Sequence, residues 1–119
     1  VAIEVDAGPE VLTGSTRLKA GTCQKLILNM ISTASMVGIG KVYSNYMVDM
    51  KASNYKLEER AKRIVMDTTS CSAEEAVRAL HEADQSIKTA IVMILLGVSR
   101  DEAEERLRQE NGFVRKCID

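Results

Sequence analysis

Aromatic residues are nearly absent: Phe113, Tyr43, Tyr46 and Tyr55 are the whole set in 119 residues, and there is no tryptophan. A protein that holds single-stranded nucleic acid by stacking bases on rings has too few rings here. An excess of one charge is missing too, since 16 Lys+Arg against 17 Asp+Glu give a formal net charge of −1. That balance offers no single-sign field to a nucleic acid or an anionic membrane surface. The longest apolar run, Ala90 to Val98, has nine residues, against roughly 20 for a membrane-spanning helix. No charged stretch leads into an apolar one at the start, so no secretory signal is read. Histidine occurs once, at His81, and Cys23, Cys71 and Cys117 are widely spaced with no CxxC pair. This set suggests neither a zinc site nor a disulfide framework. It reads as reduced thiols in a cytoplasmic protein that uses no metal and no cofactor.

What is present is ordinary globular material, 45% hydrophobic and 28% charged, enough for a core without covalent staples. Val1-Ala-Ile-Glu-Val5 reads as a strand and Gly8-Pro9 as the turn after it. A strand needs a sheet, and none follows nearby. The segment is therefore read as the remainder of a longer α/β protein. After a loop over Ala7–Gly14, Cys23, Leu26, Ile27, Met30, Ile31, Ala34 and Val37 recur at helical spacing. Leu28 and Met36 lie elsewhere on that cylinder, so the helix is expected to be covered on more than one side. Gly38 and Gly40 close it. Lys41–Met50 fits either a short strand or an irregular connection.

From Ser53 onward the pattern changes to short, capped helices. One runs from Ser53 or Asn54 to about Thr68. Ser72-Ala-Glu-Glu75 is a capping box opening a second, which ends near Ala83. Ser86 opens the apolar third, stopped by Gly97. Ser99-Arg-Asp-Glu102 is another capping box, for a helix closed by Asn111-Gly112. The methionines (Met30, Met36, Met47, Met50, Met66, Met93) read as core filler, and His81 as solvent-facing. Glu102–Arg108 reads as a solvated face with pairs such as Glu104–Arg108. The segment is thus mostly α: one strand, one long helix, then a helical bundle.

The stretch Gly8–Thr22 holds the residues that can carry chemistry. A strand end, a glycine-containing loop with hydroxyls and a helix start follow one another, an order in which α/β proteins bind anions. Ser15 or Thr16 is the expected N-cap, with Arg17 and Lys19 in the first turn. Cations oppose the helix dipole there, where Asp and Glu are favoured by about 0.3–1 kcal/mol each. Lys88 repeats the exception in the third short helix. An anion bound near Ser15 would remove the conflict; the alternative is that Arg17 and Lys19 reach into solvent or pair with acids elsewhere.

The string Gly8-Pro-Glu-Val-Leu-Thr-Gly-Ser-Thr-Arg-Leu-Lys-Ala-Gly-Thr-Cys-Gln-Lys25 resembles the N-acetylmuramic acid 6-phosphate etherase family, which also includes the animal glucokinase regulatory protein. So do Gly40-Lys-Val-Tyr-Ser-Asn-Tyr-Met-Val-Asp49 and Ser53-Asn-Tyr-Lys-Leu57, and the likeness continues through Thr89-Ala-Ile-Val-Met-Ile-Leu-Leu96 and Gly112-Phe-Val-Arg115. Departures are Cys23, Gly38, Ser44 and Tyr46, where the family pattern has Ala, Arg, Gly and Leu. The resemblance implies an α/β parent, a sugar isomerase (SIS) domain with a parallel-sheet sandwich. Residues 1–52 would be the C-terminal portion of that domain, and 53–119 a helical module resembling a ubiquitin-associated (UBA) domain.

The family's reaction cleaves the D-lactyl ether of the 6-phosphorylated sugar, by elimination across C2–C3 of the ring-opened form and then addition of water. It needs a glutamate acid and a glutamate base. Both lie in the earlier part of the SIS domain, so no catalytic residue is expected in this segment. The resemblance assigns it instead a share of substrate binding. Thr13, Ser15, Thr16 and Arg17 would face the sugar phosphate, with Lys41 reaching it from beyond the helix. Read without the resemblance, Lys41 is a cation at a helix C-terminus. Glu10 fits a sugar-hydroxyl acceptor or a turn residue, and Lys19 a ligand or a rim cation. The implied partners are a sugar phosphate and a second copy in a homodimer. A non-catalytic sugar-phosphate-binding regulatory protein is the alternative function.

Overall fold

Helix α1 (Lys19–Gly38) dominates the first of two compact units, Val1–Ser35 and Met36–Asp119, in a computed structural model that describes every residue, Val1–Asp119. Val1–Val5 forms no ladder. The only sheet in the chain is a two-stranded antiparallel hairpin elsewhere, so the expected first strand is corrected to an unpaired segment. A strand with no neighbour has no hydrogen-bonding partner to define it. Nor does α1 bury any residue. Leu26, Leu28, Met30 and Ile31 are all exposed, Met30 at 62%. The expected cover on two sides is absent from this chain, and Met30 is not core filler here. The periodic stripe is real, but it stays exposed along its length.

The second unit starts at the helix end. The Gly40 and Lys41 backbone N–H groups donate to the carbonyls of Val37 and Met36, and Gly40 has φ +70°. This is the paired closure that a left-handed residue after a helix permits. The ambiguous stretch that follows is a tight hairpin, β1 (Val42–Tyr43) with β2 (Tyr46–Met47), pairing Val42 with Met47 and Tyr43 with Tyr46. Five helices complete the unit: α2 (Tyr55–Thr69), α3 (Ala73–Glu82), α4 (Ile87–Leu96), α5 (Arg100–Gln109) and α6 (Val114–Ile118). The caps sit where the sequence puts them. The side chains of Asn54, Ser72, Ser86 and Ser99 accept the N–H of Leu57, Glu75, Thr89 and Glu102 in turn. Ser99–Glu102 closes a reciprocal capping box, whereas Ser72–Glu75 makes the forward bond alone. The five-residue α6 is too short for its period to be seen in sequence.

Helix α4 is the axis of the core. Apart from Lys88 and Thr89 it is apolar; it buries Ile87, Ala90, Ile91 and Val92, and packs against α2, α3, α5 and α6. Each neighbour presents residues spaced three or four apart: Ala61, Ile64 and Val65 from α2, Ala76, Ala79 and Leu80 from α3, Ala103 and Leu107 from α5, Val114 and Cys117 from α6. Val48, just past the hairpin, joins the same cluster, with Tyr43, Tyr46, Met50 and Met66 packed on it. Fully burying a side chain such as Ile91 or Val65 contributes about 1.5–3 kcal/mol. His81 is exposed, as expected. The expected Glu104–Arg108 pair is replaced by Arg100–Glu104 at 2.7 Å and Arg108–Glu105. Each side chain takes a different neighbour within one turn.

Candidate functional site

Turns rather than helix occupy Val11–Leu18. The N–H groups of Ser15, Thr16 and Leu18 donate to the carbonyls of Leu12, Gly14 and Ser15. The first α-helical bond links the Thr22 N–H to Leu18, whose carbonyl also accepts the Thr22 hydroxyl at 2.9 Å. The expected N-cap at Ser15 or Thr16 is therefore corrected. Arg17 lies in the turn before α1, and Lys19 is the helix's first residue.

A side chain from upstream does the capping. The Glu10 carboxylate accepts the Lys19 N–H at 2.9 Å through one oxygen and the Ala20 N–H at 3.0 Å through the other. This is the acidic group the helix dipole calls for, supplied across nine residues rather than from within the first turn. The two backbone N–H groups, Ala20's first and then Lys19's, hold the Glu10 carboxyl below its ordinary range, with the Lys19 charge adding to them. The conflict raised by Arg17 and Lys19 thus has an internal answer, one that local spacing does not reveal.

Arg17 and Lys19 line one side of an open hollow of about 560 Å³, with Ala7, Leu18, Thr22 and Cys23 completing it. Thr13 and Thr16 are exposed and Ser15 is half-buried. Glu10, Thr13, Ser15, Thr16, Arg17 and Lys19 thus fall within one short stretch of the first unit. Of these residues only Arg17 and Lys19 line the hollow, and Thr13, Ser15 and Thr16 do not; two cations at a solvent-open hollow can receive an anion.

Lys41 belongs to the second unit, where it opens the hairpin. Its Nζ lies 3.0 Å from Asp49 Oδ2, and the other Asp49 oxygen lies 3.4 Å from Lys88 Nζ. Hydrogen bonding to Lys41, and the nearby Lys88 charge, keep the Asp49 carboxyl below its ordinary range against a partial desolvation penalty. The link from Lys41 through Asp49 to Lys88 was missed in sequence. Its one visible trace was Lys88 in the first turn of α4, where a cation is disfavoured. No group of three or more His, Cys, Asp or Glu residues is placed to hold a metal ion, and Cys23, Cys71 and Cys117 are free. No helix is long and apolar enough to cross a membrane.

Comparison with known proteins bears on nearly the whole chain. It is 64% identical over 118 residues to an N-acetylmuramic acid 6-phosphate etherase of Geobacillus thermodenitrificans, covering 99% of this chain and 40% of the relative. A protein of Lactiplantibacillus plantarum named N-acetylmuramic acid 6-phosphate etherase 2 is 62% identical with the same coverage. One from Cutibacterium acnes is 62% identical over 98% of this chain and 38% of its own length. The family model for the C-terminal lid domain of glucokinase regulatory protein matches residues 44–88. The resemblance seen in the motifs therefore extends along the chain, which spans about two-fifths of the length of the curated relatives it matches.

Proposed function

We propose that this chain is the C-terminal part of an N-acetylmuramic acid 6-phosphate etherase, a carbon–oxygen lyase that releases D-lactate and N-acetylglucosamine 6-phosphate in cell-wall amino sugar recycling. The observation that carries this reading is the 64% identity over 99% of the chain to a protein bearing that name. Residues 1–52 would complete a SIS domain whose sheet pairs Val1–Val5 and covers α1. Residues 53–119 would form the UBA-like helical module. The exposed apolar stripe of α1 supports this division, because such a stripe implies a surface for it to cover.

In the reaction, a base upstream removes the C2 proton of the open-chain sugar, the C3–O bond breaks with D-lactate leaving, and water adds at C3. This segment supplies none of those groups. Its part is to hold the phosphate: Thr13, Ser15 and Thr16 by their hydroxyls, and Arg17 and Lys19 by charge. Because Glu10 already occupies the Lys19 and Ala20 N–H groups, the phosphate is met by side chains rather than by the helix terminus. The carboxylate lone pairs left over accept a sugar hydroxyl. The enzyme would be a cytoplasmic homodimer.

Calorimetric titration of the full-length protein with N-acetylglucosamine 6-phosphate tests the site. Arg17→Ala should weaken binding by about tenfold or more, the worth of a charge-assisted contact. Unchanged affinity would remove Arg17 from the site. A second reading, a non-catalytic sugar-phosphate-binding regulatory protein, draws support from the lid-domain match over residues 44–88. Release of D-lactate from N-acetylmuramic acid 6-phosphate separates the two, since a regulatory protein would bind the phosphorylated sugar and release none.

A further inference from the structure

Lys88 is the unexplained residue of the helical module. It stands in the first turn of α4, where its charge opposes the helix dipole, and its side chain is only 14% exposed. A cation withdrawn that far from water needs a partner, and the one it has is Asp49, 3.4 Å away on the chain just past the hairpin. The other Asp49 oxygen takes the Lys41 ammonium at 3.0 Å. The two ends of the segment Lys41–Asp49 therefore meet in one carboxylate, and Lys88 ties that carboxylate to α4.

Shape seats this segment firmly at its start. A Cβ at Gly40 would lie 3.1 Å from the Gly112 carbonyl carbon and oxygen and from the Phe113 ring, so Gly40 rests against the turn between α5 and α6. From Lys41 to Asp49 only the Val48 side chain is buried. The Tyr46 hydroxyl donates to Asp67 of α2 at 3.1 Å, an exposed bond. Strands of two residues each are too short to persist alone, and Met50–Ser53 lies outside helix and strand. Every other buried apolar side chain falls between Ala61 and Cys117, so the bundle keeps its core without the hairpin. A segment with one buried side chain stands at the low end of local opening free energies, and α4 at the high end.

We propose that Lys41–Asp49 is a strap latched by charge: Lys88 captures the Asp49 carboxylate, and removing that negative charge releases the strap as a unit, pivoting at Gly40, while α2–α6 stay folded. Neutralising Asp49 leaves two ammonium groups side by side, one of them largely buried. The latch then repels rather than merely weakens. Lys88 thereby gains a reason to stand where the helix dipole disfavours it. The inference lies wholly within the second unit and does not depend on the proposed substrate.

Native-state hydrogen exchange of the full-length protein, read by mass spectrometry on peptides covering the strap and α4, tests this. The Val48 N–H, which donates to the Lys41 carbonyl at 3.1 Å, reports the strap. In the unaltered protein the strap should exchange through a more frequent opening than α4 does. Asp49→Asn should raise strap exchange by about tenfold or more, the worth of a charge-assisted contact, and leave α4 unchanged. In a Lys88→Met background the same Asp49→Asn change should have a much smaller effect, because the buried cation it strands is gone. Equal opening of strap and α4 in the unaltered protein would overturn the proposal. So would an Asp49→Asn variant whose strap exchange is unchanged, whose strap and α4 rise together, or whose bundle fails to fold. An Asp49→Asn effect of the same size with and without Lys88 would remove Lys88 from the latch and overturn it equally.

Discussion

Glu10 accepts the backbone N–H of Lys19 at 2.9 Å, nine residues away, and thereby brings negative charge to a helix terminus whose own first residue is a cation. The turns from Val11 to Leu18 make this possible, since they fold the chain back until the carboxylate reaches the start of α1. An intramolecular carboxylate therefore stands where an isolated helix N-terminus would attract an external anion. Arg17 and Lys19 are left with their side chains free for the hollow they line.

The Glu10 bond has a pH signature. Its folded pKa is depressed, by the Ala20 and Lys19 N–H groups, from the reference value of 4.5. The stabilisation is therefore present above that unfolded value and is lost as pH falls through the lower folded one. The Lys19 and Ala20 amide resonances should shift together with a midpoint below 4.5, and Glu10→Gln should abolish the titration. A midpoint at or above the reference value would mean that the cap does not persist in solution.

Gly40 and Gly38 stand two residues apart at the end of one helix and should respond oppositely to alanine. Gly40 has φ +70°, and a Cβ there would meet the Gly112 backbone and Phe113 at 3.1 Å, whereas a Cβ at Gly38 meets nothing within 4 Å. Gly40→Ala should destabilise by about 2 kcal/mol or more, from left-handed strain and overpacking together. Gly38→Ala should be neutral or stabilising by up to about 1 kcal/mol. Urea midpoints at unchanged m-value measure both.

Local rules were enough to place the caps. Asn54, Ser72, Ser86 and Ser99 open their helices because a side-chain oxygen next to an amphipathic run has an immediate backbone donor to accept. The errors came where the partner is distant in sequence. Ser15 and Thr16 carry the right chemistry for an N-cap, but Glu10 wins because the intervening turns bring it closer to the free N–H groups. The Asp49–Lys88 pair spans the hairpin exit and α4, a separation no periodicity encodes; only the misplaced charge of Lys88 hinted at it. Val1–Val5 failed for the opposite reason. Its β-branched pattern is legible, but a strand is a relationship between segments, and Val1–Val5 pairs with none here.

Ile91 and Ile31 separate the core that this chain completes from the face it leaves open. Ile91 is fully buried on α4, whereas Ile31 on α1 is 48% exposed. Ile91→Ala should cost about 2–5 kcal/mol, the transfer free energy plus an unfilled cavity, which is a large share of the stability of any small unit. Ile31→Ala in this chain alone should stay within about 0.5 kcal/mol, as an exposed substitution does. If a SIS sheet covers α1 in the longer protein, the same Ile31→Ala change there should rise to the core range. Denaturant unfolding of both forms supplies the comparison. An Ile31→Ala cost that stays small in the longer protein would show that α1 remains uncovered and would count against residues 1–52 as part of a sheet domain.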